Sequence, residues 1–210
     1  MTSRRHVPYA LLAASLLLPA APATAAGLTV PVQCEVGSET VLAWDDVAYD
    51  LRGTCGVVRV TADAATVTMP AATRLVVEGA DNTITAKSVY DVLVTGASNA
   101  VTTPSITTLA VTGAGSDVAV AGLVERAELT STGSSLTADT VNVLRLRGAD
   151  SVAARKAYRT RITGSDNAVR LRRGDRLVLT GDRNGVTVER GRTTVRDRGE
   201  GNVLDLRPRR

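Results

Sequence analysis

Phenylalanine is absent from this chain, aromatic residues make up 2% of it, and histidine occurs once. Few rings are available for an interior, so whatever core forms is filled by Val, Ile, Leu and Ala. The lone histidine, His6, lies in an N-terminal leader pattern. A mature chain would therefore have no His-dependent triad, general base or metal cluster. Lysine is reduced to Lys87 and Lys156, which leaves little room for lysine-based chemistry. Long apolar runs are missing too. Beyond the leader none approaches about eighteen uninterrupted apolar residues, so no transmembrane segment is expected. No cofactor and no metal are expected either: the acidic corners described below lack the nine-residue Gly-rich spacing of calcium-binding repeats.

The leader covers residues 1–25. Arg4, Arg5 and His6 precede an apolar run from Tyr9 to Leu18 and then small residues ending "ATA", the pattern of a secretory signal peptide cleaved after Ala25. About 185 residues would remain, enough for one domain. The expected location is secreted or extracytoplasmic, at the cell envelope. Thiols oxidise there, so Cys34 and Cys55 are expected to pair. Cys34 stands too far from the apolar run to be a lipidated cysteine.

What the sequence does have is a repeat. "VTGASNAV" at 94–101 returns as "ITGSDNAV" at 162–169. Aligning on the small residue that ends each "V-x-G" gives Ala62, Gly79, Gly96, Gly113, Gly133, Gly148, Gly164, Gly181 and Gly199, with steps of 17, 17, 17, 20, 15, 16, 17 and 18. Apolar residues alternate before and after each corner with the period of strands. The corner itself is "G-x-x-N", at Gly79/Asn82, Gly96/Asn99, Gly164/Asn167, Gly181/Asn184 and Gly199/Asn202, residue types that tolerate positive φ. A unit this small cannot bury its own apolar face, so neighbours must cover it. The fold expected is all-β, a parallel β-solenoid with coils of about 17 residues over 62–206. An antiparallel β-meander with the same corners is the alternative. Residues 26–61, with both cysteines and Trp44, read as an N-terminal cap or irregular first coil, and residues 207–210 as a basic tail.

The run "LRGTCGVVRV" followed by "V-x-G-x-x-N-x-V" units resembles the bacterial family called domain of unknown function 3060, over about residues 34–206. The resemblance implies a secreted or envelope-attached β-solenoid of high-GC Gram-positive bacteria without an assigned activity, and it carries over no functional residues. The chain departs from the pattern at Ala62, near Gly113 and Gly133, and in its arginine-rich last third.

Four features bear on function. "WDDVAYD" brings Asp45, Asp46 and Asp50 together with Trp44 and Tyr49; paired carboxylates beside rings suit a carbohydrate-active enzyme, and equally suit a solvated capping segment. "RGD" at Arg173–Asp175 is a match of a kind that chance alone produces about 0.1 times in a chain of this composition. Thr-rich pieces such as "DNTITA" are accounted for by β-propensity. The strongest feature is charge. Residues 27–149 hold seven Lys and Arg against thirteen Asp and Glu, whereas residues 150–210 hold sixteen against eight. Stacked coils would turn Arg170, Arg172, Arg173, Arg176, Arg190 and Arg192 into a basic stripe attractive to envelope polyanions or another envelope protein. Nucleic acid is not an expected partner for an exported chain without aromatic stacking residues. The reading is an exported, non-catalytic surface or envelope module, with the carbohydrate-active enzyme as its alternative.

Overall fold

Alternating aliphatic residues interrupted by a corner every seventeen or so positions leave the chain one economical course, which is to wind upon itself. The computed structural model describes residues 29–207; the leader, residues 1–25, and residues 208–210 of the basic tail lie outside the described residues. The strands are β1 (Thr29–Gln33), β2 (Glu39–Leu42), β3 (Ala48–Arg52), β4 (Cys55–Val60), β5 (Thr66–Val77), β6 (Thr83–Val94), β7 (Ala100–Thr103) and β8 (Ile106–Val111). Then come β9 (Asp117–Leu129), β10 (Thr132–Leu146), β11 (Ala149–Ile162), β12 (Ala168–Leu179), β13 (Gly185–Arg190), β14 (Thr194–Asp197) and β15 (Val203–Leu206). Among the described residues there is no helix, and every strand pairing is parallel. The antiparallel meander is thereby excluded, and the fold is a β-solenoid of about 10 turns.

Register explains the core. Val67 pairs with Ile84, Ile84 with Val101 and Val101 with Val118, and the column continues through Leu136, Val152, Val169 and Val186. A second column runs Val77, Val94, Val111, Leu129, Leu146, Ile162 and Leu179, each fully buried. Like thus stacks on like about 4.8 Å apart, and burying each aliphatic side chain contributes about 1.5–3 kcal/mol. Of residues 26–61, read as a cap or irregular first coil, the described residues 29–61 run in the same parallel winding: β1 pairs with β3, β2 with β4, and β3 and β4 with β5. The Cys34–Cys55 disulfide forms, closing a sequence separation of 21 and tying adjacent windings together.

The corners work differently from the expectation. Positive φ falls neither on the leading glycine nor on the asparagine but on the residue between them: Asp81, Ser98, Gly115, Asp166, Arg183 and Gly201. Gly96 is required for another reason. A Cβ there would collide with the Gly79 carbonyl oxygen of the winding beneath, and the same relation links Gly113 to Gly96 and Gly181 to Gly164. Asparagine is required because its side chain turns inward. Asn82, Asn99, Asn167 and Asn184 are buried. Asn99 Oδ1 accepts from Asn82 N at 2.9 Å while Asn99 Nδ2 donates to Gly79 O at 2.8 Å. Each amide thereby satisfies backbone groups that the corner leaves without a strand partner. Gly133, with φ 74, holds the positive-φ place of its corner just before Ser134, not the leading place. The residue in that column is Ser131, whose carbonyl a Cβ on Gly148 would strike; the steps around it are 18 and 17 rather than 20 and 15.

Candidate polyanion-binding face

In each strand, residues on either side of an inward-facing residue point outward. Leu144, Thr160 and Leu177 are buried on β10, β11 and β12 and stack in register. Their neighbours Val143 and Arg145, Arg159 and Arg161, and Arg176 and Val178 therefore share one outer face. Arg145 lies directly beside Arg161, and Arg159 beside Arg176. These residues border a groove of about 290 Å³. Among the described residues none of these four guanidinium groups has a carboxylate in ion-pairing range.

The six arginines singled out from the sequence do not form one stripe. Arg170 lies on a different face, next to buried Leu171, and reaches Glu189 at 3.7 Å. Arg172 and Arg173 border a second recess of about 160 Å³ together with Arg155 and Lys156. Arg190, at the end of β13, lies directly beside Arg173, which itself lies beside Lys156, and Arg192 follows it, both arginines exposed. Only Arg176 joins the groove; Arg145, Arg159 and Arg161 were not anticipated.

Some arginines elsewhere are matched. Arg155 Nη2 donates to Asp139 Oδ2 at 2.7 Å, and this hydrogen bond holds the Asp139 carboxyl below the usual carboxylate range. Arg183 Nη2 lies 2.7 Å from Asp166 Oδ2, with the same effect on Asp166. Arg59 sits between Glu39 and Glu78, which raise its pKa, chiefly through the hydrogen bond from its Nε to Glu39. Such exposed pairs stabilise little, but they keep stacked arginines neutralised.

The remaining candidates have structural partners. Asp45 Oδ1 accepts from Asp63 N at 2.7 Å, Asp46 takes a left-handed turn at φ 56, and Asp50 pairs with Arg52 at 3.0 Å. Tyr49 is buried and its hydroxyl accepts from Trp44 N at 2.8 Å, leaving the Trp44 ring exposed. The "RGD" triplet lies inside β12 with Gly174 buried, rather than on a loop tip. Outward threonines do align, Thr68 beside Thr85 and Thr85 beside Thr102, until Ala119 interrupts them. Among the described residues no group of three or more metal-ligating side chains converges, and no helix is long and apolar enough to cross a membrane.

Fold and face together define the class: a parallel β-solenoid with one acidic half and one basic half. The model of a family described as a protein of unknown function (DUF3060) matches residues 156–201, which run from within β11 to the last corner and include Arg159, Arg161 and Arg176. No curated protein and no solved structure matches the chain.

Proposed function

We propose that this chain is an exported, non-catalytic module that holds polyanions of the cell envelope on its basic C-terminal half. The observation carrying this reading is the set of arginines on β10–β12 that lack carboxylate partners, since an unneutralised patch attracts counter-charged polymers over a Debye length. Export is supported by the leader pattern of residues 1–25 and by a disulfide of the sort that persists in oxidising compartments. A carbohydrate-active enzyme at Asp45 and Asp46 has less support, because Asp45 caps a backbone N–H of the next winding. Retention on isolated cell envelopes tests the proposal: binding at low salt that fades as salt rises is expected, and no retention at low salt ends it.

A further inference from the structure

We infer that the groove between Arg145, Arg159, Arg161 and Arg176 is a phosphate-ester subsite that seats a linear phosphodiester polymer lying along the solenoid axis; the inference rests on the polyanion reading above and narrows it.

Three lines of structure carry it. The first is cost. In-register strands place the Cα atoms of Arg145 and Arg161, and of Arg159 and Arg176, about 4.8 Å apart, and like charges directly opposite one another destabilise a sheet. Carboxylates answer other arginines, Glu39 and Glu78 at Arg59 and Asp139 at Arg155. Among the described residues none pairs with these four, nor with the neighbouring column Lys156, Arg173 and Arg190. The nearest carboxylate in register is Glu128, opposite Arg145, and Arg147 engages it at 3.2 Å. A ligand would supply the missing counter-charge.

The second line is chemistry. Four guanidinium groups present planar forks of N–H donors around one groove, and Arg rather than Lys matches such oxygens bidentately. A carboxylate holds its two oxygens in one plane with its carbon substituent, whereas a phosphodiester sets two charged oxygens and two ester oxygens tetrahedrally, so that forks from different windings can approach it out of a single plane. Half-buried Val143 and Val178 occupy opposite corners of the groove. They give the carbon groups flanking a phosphodiester an apolar surface and exclude some water from the charge contacts.

The third line is direction. Arg126 neighbours Val143 on one side, and Arg196 neighbours Val178 on the other. Neither is ion-paired among the described residues. Charge therefore continues beyond the groove across successive windings, which suits a chain of phosphates rather than a single one.

Titration calorimetry of the full chain is the test, with poly(glycerol phosphate), inorganic phosphate, polygalacturonate and phosphatidylglycerol vesicles as probes. The phosphate polymer should bind tightest, inorganic phosphate should compete weakly, and affinity should fall with salt. The double variant Arg159→Gln/Arg161→Gln should weaken polymer binding by about tenfold or more and lower the log–log salt slope by roughly two. Arg172→Gln/Arg173→Gln should weaken it less. Both doubles should melt at or above the parent temperature, because exposed like charges are removed.

Equal losses from the two doubles would overturn the subsite, as would polygalacturonate binding as tightly as the phosphate polymer. Inorganic phosphate matching the polymer per phosphate would make it a free-phosphate site, and binding to vesicles alone would make it a lipid surface; either overturns the inference. Salt-sensitive polyanion binding left intact by Arg159→Gln/Arg161→Gln would remove the groove while sparing the broader reading. If the parent chain binds no polyanion at low salt, both fall.

Discussion

Single residues decide whether one winding can lie on the next, and two substitutions expose how. Gly96→Ala puts a methyl group into the Gly79 carbonyl oxygen, where two backbones must separate to admit it; the expected cost is more than about 2 kcal/mol. Gly133→Ala meets no atom within 4 Å but must hold φ 74, a conformation that costs about 1–2 kcal/mol with a side chain. Urea midpoints should therefore rank parent, Gly133→Ala, Gly96→Ala, and the reverse order of the two variants would refute the stacking argument. Asp150 offers a second test. It occupies the asparagine column, with Oδ1 accepting from Ser131 Oγ at 2.8 Å and Ser134 N at 3.1 Å, while buried Oδ2 has no partner. Burial lifts its carboxyl above the usual carboxylate range, against the pull of the Ser131 and Ser134 hydrogen bonds. Because the folded state then binds the proton more tightly than the unfolded state, its stabilisation is greatest below about pH 4 and is lost as pH rises through the folded value. Asp150→Asn restores the amide of the column. It should flatten that decline and gain about 1 kcal/mol at pH 7; parallel stability curves for parent and variant would contradict this.

At the scale of strands and windings, the disulfide ties β4 to the chain just after β1, where the stack is thinnest. Replacing Cys34 and Cys55 by Ser releases a loop whose closure stabilises by about 3 kcal/mol in the chain-entropy model. The loss should be local, because each winding contacts only its neighbours: amide exchange should quicken in β1–β4 and stay slow in β10–β12. Uniform acceleration would mean that the windings do not open independently. This scale also explains what was legible in the sequence. The seventeen-residue period and inward alternation disclosed the parallel stack, because aliphatic columns leave a direct imprint on composition. Corner chemistry was legible in position but not in cause. Gly and Asn suggest positive φ from local propensity alone, whereas the close carbonyl at Gly96 and the inward amide at Asn99 belong to contacts one winding away. The groove was missed for a related reason. Arg145 and Arg161 each stand three residues before a corner, Gly148 and Gly164, so their stacking was open to the alignment. What the alignment does not hold is which outward columns lack a carboxylate from a neighbouring winding, and Arg145 also lies outside the arginine-rich stretch of 150–210 on which the charge count focused.

For the whole molecule, a stack of equivalent windings implies that length is negotiable while phase is not. Deleting residues 79–95 removes one period of 17 and places Gly96 where Gly79 stood, above Ala62. Asn99 then inherits the role of Asn82, whose Oδ1 accepts from Ala65 N at 2.8 Å and whose Nδ2 donates to Ala62 O at 2.8 Å. The aliphatic columns close as well, since Val101 can take the place of Ile84 over Val67. Such a chain should keep the β-sheet circular dichroism of the parent and lose only one inter-winding interface, with a modest fall in melting temperature. Deleting residues 79–86 instead would set the corner of one winding against the strand of another, exposing aliphatic residues and burying polar ones. That variant should aggregate or unfold. If both deletions unfold alike, stability does not add winding by winding and the one-dimensional account of this solenoid is wrong; if both fold alike, the registers of Gly96 and Asn99 do not carry the specificity attributed to them.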